Sequence, residues 1–291
     1  MQFSLRCICR INRINLKHTC ATMDEGTFDR RKFKTCVYLI AGLFMLLTLF
    51  QWAVLVTICD ASDIFRGNYA ISLGFLGGAL LLITLFVFND SLRMTVLVNW
   101  MFAFFIVECV TFGLAIIMLD KNVIYYGLVT IASILFLIAF ICVATYMKHD
   151  VTLDIVILFV LSIIFFMTSI ICVLLYASLE HVTAMYLYSG VVIVTTTMYM
   201  CYHVQTINGG RYAEMRLTDS LLASLIIYHD YIILFVVFFI IIYNAMEVNN
   251  MGFGNSECFH GIDKSPPAQP VNMTEDEMTT EATTEIPLPP E

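Results

Sequence analysis

The chain has 291 residues, 60% of them hydrophobic and only 13% Asp, Glu, Lys or Arg, against a charged share of about 25% in ordinary globular domains. A soluble core of this length could not hide so much apolar surface, whereas a bilayer is itself an apolar solvent and takes about 20 such residues per crossing helix. The apolar runs are long and unbroken, unlike the alternation of a membrane β-barrel, so an all-α membrane protein is expected, with a mean hydropathy of +0.85 and a formal charge of -8 split between ends of opposite sign.

Residues 1–35 form a basic arm with eight Lys or Arg against three acids. The arm has no apolar signal-peptide core, so the first span is expected to act as the anchor. Arg6, Arg10, Arg13 and Lys17 recur at helical spacing with no acid before Asp24. That pattern suits either a cytosolic arm on anionic lipid or a mitochondrial presequence. Cys7, Cys9 and Cys20 lack the paired spacing of a zinc site and read as reduced thiols or as palmitoylation sites near the membrane. Cys36, Cys59, Cys109, Cys142, Cys172 and Cys201 lie in or beside apolar runs, where they act as small hydrophobes.

Seven spans follow within residues 36–245, near Cys36–Cys59, Tyr69–Phe88, Met94–Leu119, Val123–Met147, Ile155–Ala177, Val182–Thr206 and Leu221–Ala245. Their short connections lead us to expect consecutive helices as antiparallel neighbours in one bundle. Gly74, Gly77 and Gly78 in the second span predict close helix packing. Arg93, Lys148, Arg211 and Arg216 fall on the side of the basic arm, against Arg66, Lys121 and Lys264 opposite. The positive-inside bias therefore predicts a cytosolic N-terminus and a lumenal or extracellular C-terminus. Residues 246–291 are polar, acidic and Pro/Thr-rich, a composition expected to stay disordered. They carry the glycosylation triplet Asn272-Met273-Thr274. A second triplet, Asn89-Asp90-Ser91, falls on the cytosolic side and is expected to stay bare.

Ionisable groups at bilayer depth cost several kcal/mol, and few are present: Glu108 in the third span, His203 late in the sixth, His229 and Asp230 in the seventh. Glu180 and His181 sit at a boundary. A carboxylate at depth needs a partner, a wet cavity or an ion path, because desolvation penalises its charged form. Glu108 and Asp230 are thus candidate ion-path or gate residues, or else protonated carboxyls bonded to a neighbouring helix. No nucleophile–base pair, metal-ligand spacing or phosphate loop occurs, and the buried polar groups are too few for a catalytic site. No enzyme activity, resident cofactor or nucleic-acid partner is expected.

Several of these residues fall into a familiar order. Tyr202-His203-Val204-Gln205, Gly209-Gly210-Arg211-Tyr212, then Tyr228-His229-Asp230 with Phe235 five residues on, resemble the sixth and seventh spans of the Bax inhibitor-1 family, especially its lifeguard branch. Arg30-Arg31-Lys32-Phe33 with Val37-Tyr38, the third-span Glu108 and Lys148-His149-Asp150 are similar to that family's other landmarks, so the resemblance covers roughly residues 30–245. It implies a seven-helix bundle with the last helix central. It also implies a slow, pH-sensitive calcium leak, with calcium as permeant ion near Asp230, and an influence on cell death shared with apoptosis-regulating membrane proteins. The family's gate is associated with two aspartates; Asp230 matches the second, while His203 stands in place of the first. Two close carboxylates share a proton, whereas a histidine beside a carboxylate forms an attractive pair. His203 and Asp230 are therefore expected to hold the sixth and seventh helices together over a broader pH range. This requires the seventh helix to start before the bilayer, with Thr218, Asp219 and Ser220 as N-caps. The function expected is a calcium leak channel or a modulator of intracellular calcium homeostasis that restrains apoptosis, in the endoplasmic reticulum, Golgi or plasma membrane. The alternative is a non-conducting adaptor acting through protein contacts. A G-protein-coupled receptor is disfavoured by the basic N-terminus and by the lack of an Asp-Arg-Tyr triplet and an Asn-Pro signature.

Overall fold

The computed structural model describes residues 23–57, 68–118, 123–179 and 182–248. The glycosylation acceptor Asn272, the acidic tail, Cys7, Cys9, Cys20, Cys59, Glu180 and His181 fall outside these residues, as does the segment read as arm or presequence before Met23. The described chain is all helical. Its seven long helices are α1 (Met23–Thr57), α2 (Tyr69–Phe88), α3 (Val96–Met118), α4 (Val123–Tyr146), α5 (Ile155–Leu179), α6 (Val182–Asn208) and α7 (Ser220–Val248). Each contains a stretch long and apolar enough to cross a membrane, and the chain is a multi-pass membrane protein. Helices suit that solvent because they satisfy every backbone N–H and C=O internally.

Polar connections start and stop these helices. Asn89 ends α2, and its side chain accepts the Ser91 N–H to open a short helix, Asp90–Met94. Asp150 does the same between α4 and α5: its Oδ1 accepts the Thr152 amide at 3.0 Å and hydroxyl at 2.6 Å. This starts a 3₁₀ turn, Val151–Asp154, that runs into α5. The first helix begins well before the expected span, because Met23–Thr35 continue as helix outside the apolar run.

The last helix forms the axis. It packs on α1, α3, α4 and α6, and 56% of its most apolar stretch is enclosed, against 11% for α5. Its own Tyr228, Tyr231 and Phe235 are fully buried, as is Trp52 of α1. Phe235 meets the rings of Trp52 and Tyr126 at 5.0 and 5.7 Å between centroids. The neighbour relations differ from those expected from short connections. Of the consecutive pairs, α2–α3, α5–α6 and α6–α7 pack substantially. The pairs α1–α2, α3–α4 and α4–α5 share at most marginal contact among the described residues. A short connection fixes where a helix starts but not which face it buries, and α7 occupies the space between the others.

The glycines behave differently from expectation as well. No atom lies within 4 Å of a Cβ placed at Gly74 or Gly77, and Gly78 only touches Cys109 at 3.9 Å. The close approach of α2 and α3 is made instead by Gly113, where a Cβ would stand 2.7 Å from Leu76 Cγ and 3.1 Å from its backbone nitrogen.

Candidate functional site

The ionisable groups of α6 and α7 meet. His203 Nδ1 lies 3.0 Å from Asp230 Oδ2, with the carboxyl side chain only 6% exposed and the imidazole 24%. The sequence positions them from one end. The sixth helix stops at Asn208, and α7 starts at Ser220 with the Ala223 N–H bonded to the Asp219 carbonyl at 2.9 Å. Asp230, ten residues into α7, is thus about 15 Å along the helix, deep enough that its polar atoms require a protein partner. His229, next to it, does not join the pair: its Nδ1 donates to the Leu225 carbonyl at 2.7 Å.

Glu108 belongs to a different contact. Both its carboxyl oxygens accept from Gln51 Nε2 of α1, at 2.8 and 3.0 Å. Close by in sequence on the same two helices, Thr48 and Thr111 share a hydroxyl bond of 2.9 Å. The Tyr228 hydroxyl of α7 joins Thr48 at 2.9 Å, and Trp52 donates its indole N–H to the Thr111 carbonyl at 2.8 Å. The bundle thus holds two polar staples at depth, one across α6–α7 and one across α1–α3–α7. The structure brings His203 and Asp230 together but bonds Glu108 to neither. Among the described residues no three His, Cys, Asp or Glu side chains are grouped to hold a metal ion.

The densest polar network is at one end of the bundle, among residues noted in sequence chiefly as landmarks of a resemblance and not expected to bond one another. There the α6–α7 connection reaches three other elements. Gly209 and Gly210 turn the chain with φ of 72° and 74°, a left-handed geometry that glycine adopts without steric cost. Arg30 of α1 then donates to the Met215 carbonyl at 2.7 Å and to Glu214 at 2.6 Å. Glu214 in turn accepts the Gly210 N–H. Arg211 bonds the carbonyls of Met147 and Lys148 at the end of α4, at 2.6 and 3.1 Å. Asp150 accepts the Tyr212 amide at 3.1 Å. Buried Gln205 bridges to the same turn, accepting from Val151 N–H at 2.9 Å and donating to the His149 carbonyl at 2.8 Å. These contacts hold the Asp150 carboxyl below its usual range, chiefly through the Thr152 hydroxyl, with the Tyr212 and Thr152 amides and the Arg211 charge adding to it. The sequence signal for this network was the glycine pair followed by alternating charge in a loop longer than its fellows.

Beside that network, Arg93 pairs with Asp90 and lies 3.8 Å from the buried Asp219. Its Nε and the Asn99 Oδ1 are buried without a partner, and both residues line a cavity of about 80 Å³. That is room for about two waters, which a cavity with a donor and an acceptor holds readily.

Comparison with protein-family models, with curated proteins and with solved structures finds no match to this chain.

Proposed function

We propose that this chain is a calcium leak channel or a modulator of intracellular calcium homeostasis that restrains cell death, with α7 as its closing element. The observation that carries this reading is the enclosed Asp230, held 3.0 Å from His203 on the most buried helix. A cation can pass beside α7 only if α7 shifts against α6, and that shift parts the carboxyl from its imidazole. The freed carboxylate is an oxygen ligand of the kind calcium prefers. A charged imidazole holds a carboxylate more strongly than a neutral one. The order of residues resembling the Bax inhibitor-1 family supports the same reading.

Orientation follows from charge. Every Lys and Arg among the described residues (Arg30, Arg31, Lys32, Lys34, Arg93, Lys148, Arg211 and Arg216) lies at the end shared by the start of α1 and the α2–α3, α4–α5 and α6–α7 connections. That end is cytosolic in this reading, in the endoplasmic reticulum, Golgi or plasma membrane. A glycosidase-sensitive sugar on Asn272 supports it, and its absence from protein made in microsomes argues against it.

The test is calcium efflux from vesicles reconstituted with the chain, with His203→Asp and with Asp230→Asn, measured against pH. Efflux above empty vesicles is expected, with a pH profile that changes in His203→Asp and is lost in Asp230→Asn. Identical profiles for the chain and His203→Asp remove the pair from the mechanism. No efflux at any pH overturns conduction. A second reading, a non-conducting adaptor, is favoured by the packing around Asp230, where Ile227, Tyr228, Tyr231 and Leu234 are all at most 1% exposed.

A further inference from the structure

We propose that the groove between α5 and α6 is a binding site for one acyl chain of a membrane phospholipid. The fifth helix packs on α6 and little else. Where the two helices part they leave a space of about 460 Å³ walled by Ser162, Phe166 and Ser169 of α5 and Thr195 and Thr196 of α6, with Ile233 of α7 as its floor. That volume falls in the range of about 300–1,000 Å³ typical of small-molecule sites.

Depth selects the occupant. Every one of these residues lies seven or more positions from the ends of its helix, which is about 10 Å or more along the axis. The groove therefore opens into the hydrocarbon layer, below the reach of a headgroup or a soluble partner. Three of its four hydroxyls are turned inward on their own helices. Ser162 donates to the Phe159 carbonyl at 2.7 Å, Ser169 to Phe165 at 2.8 Å and Thr195 to Val191 at 2.8 Å. Those three donors are spent, so the walls meet an occupant mainly with methyl and ring carbon. A flexible hydrocarbon chain satisfies such a surface.

Three walls distinguish this place from ordinary lipid contact on one helix face. Its floor also matters. Ile233 is 41% exposed on the most enclosed of the seven helices, so the groove is one place where the central helix touches lipid. A bound chain lies one helical turn from Asp230 and about two turns along α6 from His203. This inference stands apart from calcium conduction, because its test reads bound lipid and not flux.

The full chain is placed in nanodiscs of phosphatidylcholine carrying a mid-chain diazirine and irradiated, and adducts are mapped by mass spectrometry. Adducts are expected to concentrate on residues 162–169 and 192–196. In Ser169→Phe, which fills the groove, they should fall to the level of the outer face of α5. Ile171→Phe, on the opposite face, should leave them in place. Thr195→Leu, filling the groove from the other wall, gives an independent reading if Ser169→Phe does not fold. Adducts spread evenly over the lipid-facing helices, or unchanged in both filling variants, overturn the proposal. Absence of lipid adducts from the groove, together with a photo-crosslinking side chain introduced at Phe166 that joins two chains, also overturns it and assigns the groove to a second copy.

Discussion

The two glycines of the α6–α7 connection offer a controlled perturbation, because they share a backbone geometry and differ in surroundings. Both have φ near +73°, 72° at Gly209 and 74° at Gly210, so replacing either by alanine costs about 1 kcal/mol of left-handed strain. At Gly210 no atom lies within 4 Å of the new Cβ, whereas at Gly209 the Cβ stands 2.8 Å from Arg30 Nε and 3.2 Å from its Cδ and Cζ. Arg30 must then move and give up its bonds to the Met215 carbonyl and Glu214. The Arg30 side chain is 17% exposed and Glu214 41%, so solvent screens the ion pair, and the tie is worth about 1–2 kcal/mol in all. Gly210→Ala is therefore expected to destabilise by about 1 kcal/mol and Gly209→Ala by about 2–3 kcal/mol. In an Arg30→Ala background, Gly209→Ala should fall back to about 1 kcal/mol, a coupling of about 1–2 kcal/mol. Equilibrium unfolding in mixed micelles with rising SDS, followed by circular dichroism, measures the four variants against the parent chain. Equal costs for the two glycines, or additivity of Gly209→Ala and Arg30→Ala within about 0.5 kcal/mol, would refute the reasoning.

His203→Ala leaves the buried Asp230 carboxyl without its partner and should cost about 2–4 kcal/mol in the same unfolding assay; a loss under about 0.5 kcal/mol counts against the contact. Gly113→Ala drives a Cβ into Leu76 and should cost about 1–3 kcal/mol; Gly77→Ala, with open space around it, should be neutral or better, and the reverse ranking contradicts the described α2–α3 packing. Because the Asp150 carboxyl is held below its usual range, its contribution is complete above the ordinary aspartate value of about 3.9 and disappears as pH falls through the lowered folded value. Amide exchange at Tyr212, corrected for intrinsic rate, should stay level from neutrality to about pH 4 and rise only below it. Asp150→Ala should raise it throughout, and an onset near neutrality would show that another group controls the tie.

The spans were legible in sequence because lipid rewards unbroken apolar runs, and the outer limits of α2 coincide with those expected. Neighbour relations were not legible, because a residue facing lipid and one facing protein are drawn from the same types. Val37 is fully buried while Leu39, two residues on, is 55% exposed, and hydropathy scores both as core. The same blindness hid Gly113 behind the more conspicuous Gly74, Gly77 and Gly78. Polar residues at depth were easier, since each needs a partner. His203 and Asp230 could be matched by their order, but the partner of Glu108 is Gln51, an uncharged side chain that draws no notice in an apolar run. Arg30 and Glu214 escaped because 184 residues separate them and both sit in stretches that read as solvated.

The central position of α7 has a consequence for biosynthesis. Ser220–Val248 is the seventh of the spans to leave the ribosome, so the six preceding helices enter the membrane before the piece that joins them exists. The hairpins α2–α3 and α5–α6 can close on their own, but Thr48 lacks the Tyr228 hydroxyl and His203 the Asp230 carboxyl until α7 arrives. A chain interrupted before Ser220 leaves the His203 imidazole without its carboxyl, a signature by which membrane quality control can tell an unfinished product from a mature one.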